Sequence, residues 1–291
     1  MSDLFNSTRY LISLDRTNLD PNTSAQNRYI YDFPSTAKFK NTKIALTTAN
    51  IWFSFFNITE ALGNNTFSIQ HPEGASTTTL NITIPDGYYT ISGINAFIQS
   101  ELVDNGLYLV NGDGDFVYYV ELLDNLSRYK VQFNAYEIPT SLPAGFTNPA
   151  SYSFPTSANL TPTITFPENF ATYVGFTSGT YPTSVSASGA DYSVLGDRTP
   201  QQDNTTTIKI ACNLVSNAYV NPSDTLYSFS PASFSFGQLI TEKPVELIWI
   251  DVTDGYYSRI ITEVRNQSNE AIVLNDPDNL FELVFAVKKD E

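Results

Sequence analysis

Apolar and polar residues alternate along this chain in short runs, with the period of two that a half-buried strand requires. Arg9-Tyr10-Leu11-Ile12-Ser13-Leu14 is the first such run, and Asp20-Pro21-Asn22 ends it as a turn. An extended region runs from Lys43 to Phe56, and its cluster Ile51-Trp52-Phe53-Ser54-Phe55-Phe56 predicts a place at the heart of the core. Phe67 and Ile69 belong to a short strand before His71-Pro72-Glu73-Gly74, a turn by composition. Thr78, Leu80, Ile82 and Ile84 restore the alternation until Pro85-Asp86-Gly87 stops it. Phe116, Tyr118, Val120 and Leu122 alternate with Val117, Tyr119 and Glu121, and past Asp124-Asn125 Tyr129, Val131, Phe133 and Ala135 alternate with Lys130, Gln132 and Asn134, as a hairpin. Thr206 to Leu214 is the cleanest strand, with Ile208, Ile210, Cys212 and Leu214 inward and Lys209, Ala211 and Asn213 outward. Val245 to Val252 is nearly continuous in apolar residues. Tyr256 to Arg265 and Leu280 to Val287 close the chain, with Asn275-Asp276-Pro277-Asp278-Asn279 as the turn before the last run. A terminal run this apolar reads as a strand in the middle of a sheet, covered on both faces. The C-terminus then enters the core, as in β-sandwiches of the jelly-roll type.

One segment has the helical period. Ile91, Ile94, Phe97, Ile98 and Leu102 fall on one stripe, Thr90 or Ser92 caps its start, and Asn105-Gly106 closes it. This predicts a principal amphipathic helix near Ser92 to Val103, lying over an open end of a sandwich. Phe166 to Phe176 contains a single helical turn, started by Pro167 and stopped by Gly175. Residues 139–163 and 178–204, rich in Ser and Thr with Pro or Gly, read as long loops. The expected fold is all-β: a single jelly-roll β-sandwich over 1–291, with one amphipathic helix and long loops. Residues 1–8 precede the first strand as an arm or a frayed tail. No linker between two cored halves, no repeat and no large insertion stands out.

Composition changes the picture in one respect. Charged residues make up only 15% of the chain, against 20 Phe and 18 Tyr, so its surface is easier to bury against neighbours than that of an ordinary soluble monomer. Self-assembly is the expectation, with a neutral extracellular β-domain as the plain alternative. The net charge of −15 argues against nucleic acid as a partner, because phosphate neutralisation needs clustered cations. The one basic group of note, Lys38, Lys40 and Lys43, reads as a solvated edge. Cys212 is the only cysteine, so no intrachain disulfide forms, and Met1-Ser2-Asp3-Leu4-Phe5 is not a signal peptide. Both point to folding in a reducing compartment. Sequons such as those at Asn57 and Asn81 then carry little weight. No apolar run approaches the roughly 20 residues of a membrane span, and a soluble protein without a membrane partner is expected.

Candidate chemistry is sparse. His71 is the only histidine, which excludes a multi-histidine metal site; it reads as an exposed turn residue. Asn111-Gly112-Asp113-Gly114-Asp115 places oxygen ligands at alternate positions, as a calcium loop does, but Phe116 and Leu122 stand where the glycine and bidentate glutamate belong. It reads as a solvated turn, as do Asp276 and Asp278. Cys212, on an inward row, reads as a small core residue. No catalytic, cofactor-binding or metal-ligating residues are expected, and no motif singles out subunit-contact residues.

Three blocks together resemble a known family. Ile84-Pro85-Asp86-Gly87-Tyr88-Tyr89-Thr90-Ile91-Ser92 is similar to the P-x-G-Y-Y-T lead into a helix in viral capsid proteins. Phe170 to Pro182, with Val174-Gly175-Phe176 and Gly179-Thr180-Tyr181-Pro182, looks like their hydrophobic-G-F-x-x-G-x-Y-P block. Ile272 to Val287 resembles their closing strand. The family is the penton, or minor capsid, proteins of virophages and of Maverick and Polinton-like viruses. The resemblance implies a non-enzymatic single jelly roll that forms a homopentamer at the vertices of an icosahedral shell and contacts the major capsid protein. It also implies residence in the virion after assembly in the host cytoplasm. The alternative function is a receptor- or glycan-binding β-sandwich, such as a fibre head or a lectin-like module; a carbohydrate-active enzyme would need two facing carboxylates in a cleft.

Overall fold

The computed structural model describes residues 9–183, 190–276, 278 and 280–289. Residues 1–8, the 184–189 part of the expected loop, and Pro277 and Asn279 of the expected turn lie outside the described residues. The chain forms two compact units, Met1–Phe56 with Thr205–Glu291, and Asn57–Asn204. The first opens with β1 (Arg9–Asp15), β2 (Arg28–Phe39) and β3 (Thr42–Trp52). The second holds β4 (Thr66–Glu73), β5 (Ser76–Thr83), α1 (Ile91–Asp104), β6 (Leu109–Val110), β7 (Phe116–Val117), β8 (Val120–Asn125), β9 (Lys130–Ala135), β10 (Thr163–Phe166), α2 (Glu168–Val174), β11 (Gly179–Tyr181) and β12 (Tyr192–Leu195). The chain then returns to the first unit with β13 (Ile208–Cys212), β14 (Thr225–Phe229), β15 (Leu239–Glu242), β16 (Ile250–Asp251), β17 (Gly255–Arg265) and β18 (Glu282–Lys289).

The first unit is a jelly roll. One sheet runs β1-β18-β3-β15, with β16 also on β3, and the other runs β14-β13-β17-β2. The long strands thus alternate between the sheets, and the last lies beside the first, the double Greek key that defines this fold. The closing strand takes the central place that its apolar run predicts. On one side Leu14 faces Leu283 and Ile12 faces Phe285; on the other Val287 faces Ile44 and Phe285 faces Leu46. The inward rows, including Leu14, Ile44, Phe285 and Val287 from one sheet and Tyr29, Phe39, Ile210 and Ile260 from the other, are all buried. Each such side chain contributes roughly 1.5–3 kcal/mol. Tyr29 and Phe281 stack face to face with ring centroids 3.6 Å apart.

The jelly roll expected over 1–291 is confined, strand for strand, to this first unit. The expectation of no large insertion is corrected: Asn57–Asn204 is a second compact unit placed between β3 and β13. It has its own core, drawn from β4 and β5 (Ile69, Ile82), α1 (Ile94, Ile98, Leu102), β8 and β9 (Leu122, Phe133) and α2 (Phe170, Val174). The principal helix forms as its stripe predicts, with the Gly93 amide donating to Thr90 Oγ1 at 3.1 Å. It covers the core of this second unit rather than an open end of the jelly roll, and the Leu122 amide donates to Asn95 Oδ1 at 2.9 Å. α2 starts after Pro167 and stops at Gly175, whose φ of 77° is left-handed. A Cβ there would meet the Arg198 carbonyl oxygen and the Pro200 nitrogen at 2.8 Å, so the position requires glycine on two counts.

Several local expectations are overturned. β2 is a long strand that carries Pro34; its register with β17 jumps from Arg259–Asp32 to Tyr257–Ala37, so the proline sits in a bulge on an edge strand, where its missing N–H costs nothing. The row from Phe116 to Leu122 is broken at Tyr118: Phe116 is exposed, while Tyr119 turns inward with Leu109, Ile138 and Tyr152. Tyr129, expected in the second strand of the hairpin, instead has φ 51° and lies exposed in the turn before β9. Ala211, expected outward, is buried. β11 and β12 lie within the 178–204 stretch read as loop.

Candidate functional site

His71 is not an exposed turn residue. Its strand β4 continues to Glu73, and only Gly74-Ala75 make the turn to β5. His71 pairs with Thr78 and is fully buried, edge-on to the Tyr152 ring with centroids 6.0 Å apart. Neither imidazole nitrogen, nor the Tyr152 hydroxyl, has a hydrogen-bond partner of normal geometry. Burial pushes the His71 pKa down to about 4, and the Pro72 backbone offsets only part of that. A neutral, enclosed imidazole has no access to a substrate.

The other candidates stay apart. Asn111 Oδ1 accepts from the amides of Asp113 and Asp115, which closes an exposed turn on itself. Asp276 does the same with the amides of Asp278 and Leu280. Cys212 is buried on the inward row of β13, where desolvation raises its thiol pKa to about 12. Lys38 lies 5.6 Å from the Tyr256 ring centroid and Lys43 lies 3.8 Å from Asp251, on separate strands. Among the described residues, no three His, Cys, Asp or Glu side chains lie together as a cation would require, and no helix is long and apolar enough to cross a membrane.

Two features escaped sequence reasoning. The first is structural. Asn57, noticed only as a sequon, is 2% exposed. Its Nδ2 donates to the Tyr89 carbonyl and to the Tyr173 hydroxyl, both at 2.9 Å, while its Oδ1 accepts from the Tyr89 amide at 2.8 Å. Tyr173 donates in turn to the Tyr89 carbonyl at 2.6 Å. Tyr89 belongs to the first capsid-like block and Tyr173 to the second, so one asparagine ties both blocks together. Asn81, in another of the sequons, is exposed on β5.

The second is a surface on the jelly roll. Among the described residues, the nearly continuous apolar run Val245 to Val252 joins a ladder only at Ile250 and Asp251, with an isolated bridge from Val252 to Val215. Pro244 removes a donor just after β15, and Val245, Leu247 and Ile248 are left exposed at 103%, 39% and 56%. At the other edge of the same sheet, Leu11 on β1 is 69% exposed. A cleft of about 350 Å³ lies there, walled by Tyr10, Leu11 and Ile12 of β1 and by Tyr31, Phe33 and Pro34 at the bulge of β2. Burial raises the Tyr10 pKa well above its ordinary value, so that phenol stays neutral. What this arrangement supports is contact through exposed apolar side chains.

The chain is thus an all-β protein built on a jelly roll with an inserted β-rich unit. Its structure is similar to that of the mavirus penton protein, solved as selenomethionine-labelled crystals, with 10% sequence identity and a TM-score of 0.45, over 97% of this chain and 98% of that one. It is similar to the same extent to a chain in the 3.5 Å cryo-electron microscopy structure of the Sputnik virophage: 10% identity, TM-score 0.45, 97% of this chain and 98% of that one. In sequence, no family model and no curated protein matches the chain.

Proposed function

We propose that this chain is a structural subunit of a viral capsid: the pentameric vertex protein of an icosahedral shell, non-enzymatic and in contact with the major capsid protein. The whole chain 1–291 acts as one subunit, resident in the virion after assembly in the host cytoplasm. The observation that carries this is the jelly roll with apolar side chains laid open at both edges of one sheet, on a chain that is only 15% charged. The three capsid-like sequence blocks add to it. A second reading, glycan binding, draws on the aromatic cleft. Tyr31 and Phe33, however, meet edge to face at 85° with centroids 5.6 Å apart, which breaks up the flat platform a sugar ring stacks on.

Ring formation must overcome a net charge of −15 on each subunit. The repulsion reaches about 30 Å at 0.01 M salt but only about 8 Å at 0.15 M. Native mass spectrometry and sedimentation should therefore find monomer at low salt and pentamer as salt rises. Cryo-electron microscopy of particles should place the chain at the five-fold vertices. A trimer, a monomer at every salt concentration, or a position in the hexavalent capsomers would overturn the proposal.

A further inference from the structure

In the inserted unit one sheet runs β11-β10-β4-β5, and among the described residues β5 pairs with β4 alone. The register is unbroken from Thr66 opposite Thr83 to Glu73 opposite Ser76, and the Ile84 amide continues it by donating to the Asn65 carbonyl at 2.8 Å. That bond sets the parity of the ladder. Ser76, Thr78, Leu80 and Ile82 turn their N–H and C=O groups to β4, while Thr77, Thr79, Asn81 and Thr83 turn theirs outward. All four outward residues are exposed, and among the described residues none of their amides has a hydrogen-bond partner. Proteins blunt such an edge with charge, proline, a bulge or short length. Here β11 has three residues, β15 has four, and β2 carries Pro34 in its bulge. β5 has eight residues and none of these devices: no charge, no proline and no break in register.

Where the charge lies decides what this edge accepts. Asn57–Asn204 holds fourteen Asp and Glu against only Arg128, Lys130 and Arg198, so eleven of the fifteen net negative charges fall in the inserted unit. β5 itself is neutral, but acidic groups stand at both of its ends. Glu73 lies opposite Ser76 at one end; at the other, Asp86 follows the strand and accepts from the Glu60 amide at 2.8 Å. Glu60 and Asp86 are exposed, and none of the three carboxylates forms an ion pair among the described residues. A second copy would bring an equally acidic unit against this one, which like-charge repulsion opposes. We infer that the open edge of β5 takes an extended segment of another protein as a further strand, uncharged in its middle and carrying Lys or Arg at its ends. The outward N–H and C=O groups of Thr77, Thr79, Asn81 and Thr83 supply the main-chain bonds. Alternate apolar side chains of the incoming strand continue the row of buried Leu80 and Ile82, and its cations meet Glu73 at one end and Glu60 with Asp86 at the other. Such a partner is additional to the subunit contacts of a ring.

The probe is an end-blocked, fluorescein-labelled peptide, Lys-Thr-Val-Thr-Ile-Thr-Val-Lys, added to the full chain and followed by anisotropy at low salt. It should bind, and the same peptide with Glu at both ends should bind at least about tenfold more weakly. Hydrogen exchange should show the amides of Thr77, Thr79, Asn81 and Thr83 fast in the free chain and slowed by the Lys-ended peptide. Thr79→Pro removes one outward donor and leaves the ladder to β4 intact. Asn81→Lys, at an exposed side chain, places a repelling cation on the edge without altering the backbone. Each should weaken binding of the Lys-ended peptide by at least about tenfold at an unchanged melting temperature. Binding that is indifferent to both substitutions, equal for the two peptides, or absent for both overturns the proposal. Dimers of the native chain in sedimentation that Thr79→Pro abolishes place a second copy on this edge and overturn it as well.

Discussion

Asn57→Ala will destabilise the 57–204 unit by about 3 kcal/mol. The native side chain is buried and makes three hydrogen bonds within the unit. Removing it strands the Tyr89 amide, which costs about 1–3 kcal/mol as an unsatisfied buried donor, and leaves a small cavity besides. The Tyr89 carbonyl suffers less, because Tyr173 still donates to it. Asn57→Asp will be no better. It replaces the donating Nδ2 with an oxygen that faces the Tyr89 carbonyl and the Tyr173 hydroxyl oxygen, and it adds a charge that burial penalises. Tyr173→Phe removes a single partner and will cost about 1–2 kcal/mol. Both tryptophans, Trp52 and Trp249, belong to the jelly roll, whereas α1 and α2 belong to the inserted unit. Urea unfolding followed by circular dichroism at 222 nm reports the second unit, and tryptophan fluorescence reports the first. An Asn57→Ala midpoint that leaves the helical signal within about 1 kcal/mol of the native chain would show that the network contributes little.

What the sequence reveals, and what it conceals, follows from the range of the interactions involved. The helix is legible because its cap, its stripe and its stop are local: Thr90, Ile91 to Leu102, and Gly106 with its left-handed φ of 70°. The central place of β18 is legible in its apolar run, although cover on both faces is not what it finds: Leu283, Phe285 and Val287 are buried while Val284 and Ala286 on the other face are only half-buried. Its partners are not legible. β1 lies at the other end of the chain, and nothing in Arg9 to Asp15 states which strand it meets. β2 is hidden by Pro34, whose bulge can be recognised only once β17 is beside it. The inserted unit is hidden because neither boundary, at Asn57 or Asn204, carries a linker composition, and both units draw on the same Phe, Tyr, Thr and Asn. Val245 to Val252 misleads in the opposite sense. An apolar run normally means core, and here Pro244 and the early end of β15 turn it outward. The candidate surface was thus written in the sequence but with the wrong sign, while low charge alone pointed to association.

His71 argues that the inserted unit is sensitive to acid. It is the only histidine, and its pKa is about 4 in the folded chain against an ordinary value of 6.5. The unfolded chain therefore takes up a proton as the pH falls through 6.5, while the folded chain does so only near 4. Stability is complete above pH 6.5 and falls by about 1.4 kcal/mol per pH unit across that window, a total of about 3 kcal/mol. Two acidic groups of the unit also change the balance in acid. Hydrogen bonds from Thr177 hold the Asp197 carboxyl below its ordinary value, so its contribution is lost only at lower pH. Burial raises the Asp124 pKa, which acts in the opposite direction as that carboxyl protonates. The Tyr152 phenol packed against the ring is pushed upward by burial and stays neutral throughout. Unfolding at pH 7 and pH 5, read at 222 nm, should differ by about 2 kcal/mol in the native chain. In His71→Leu, which places an aliphatic group of comparable size among apolar neighbours, the difference should nearly vanish, so that the variant overtakes the native chain in mild acid. A native unit equally stable at both pH values, or a leucine variant with the same acid slope, would mean that the imidazole reaches solvent before the unit unfolds.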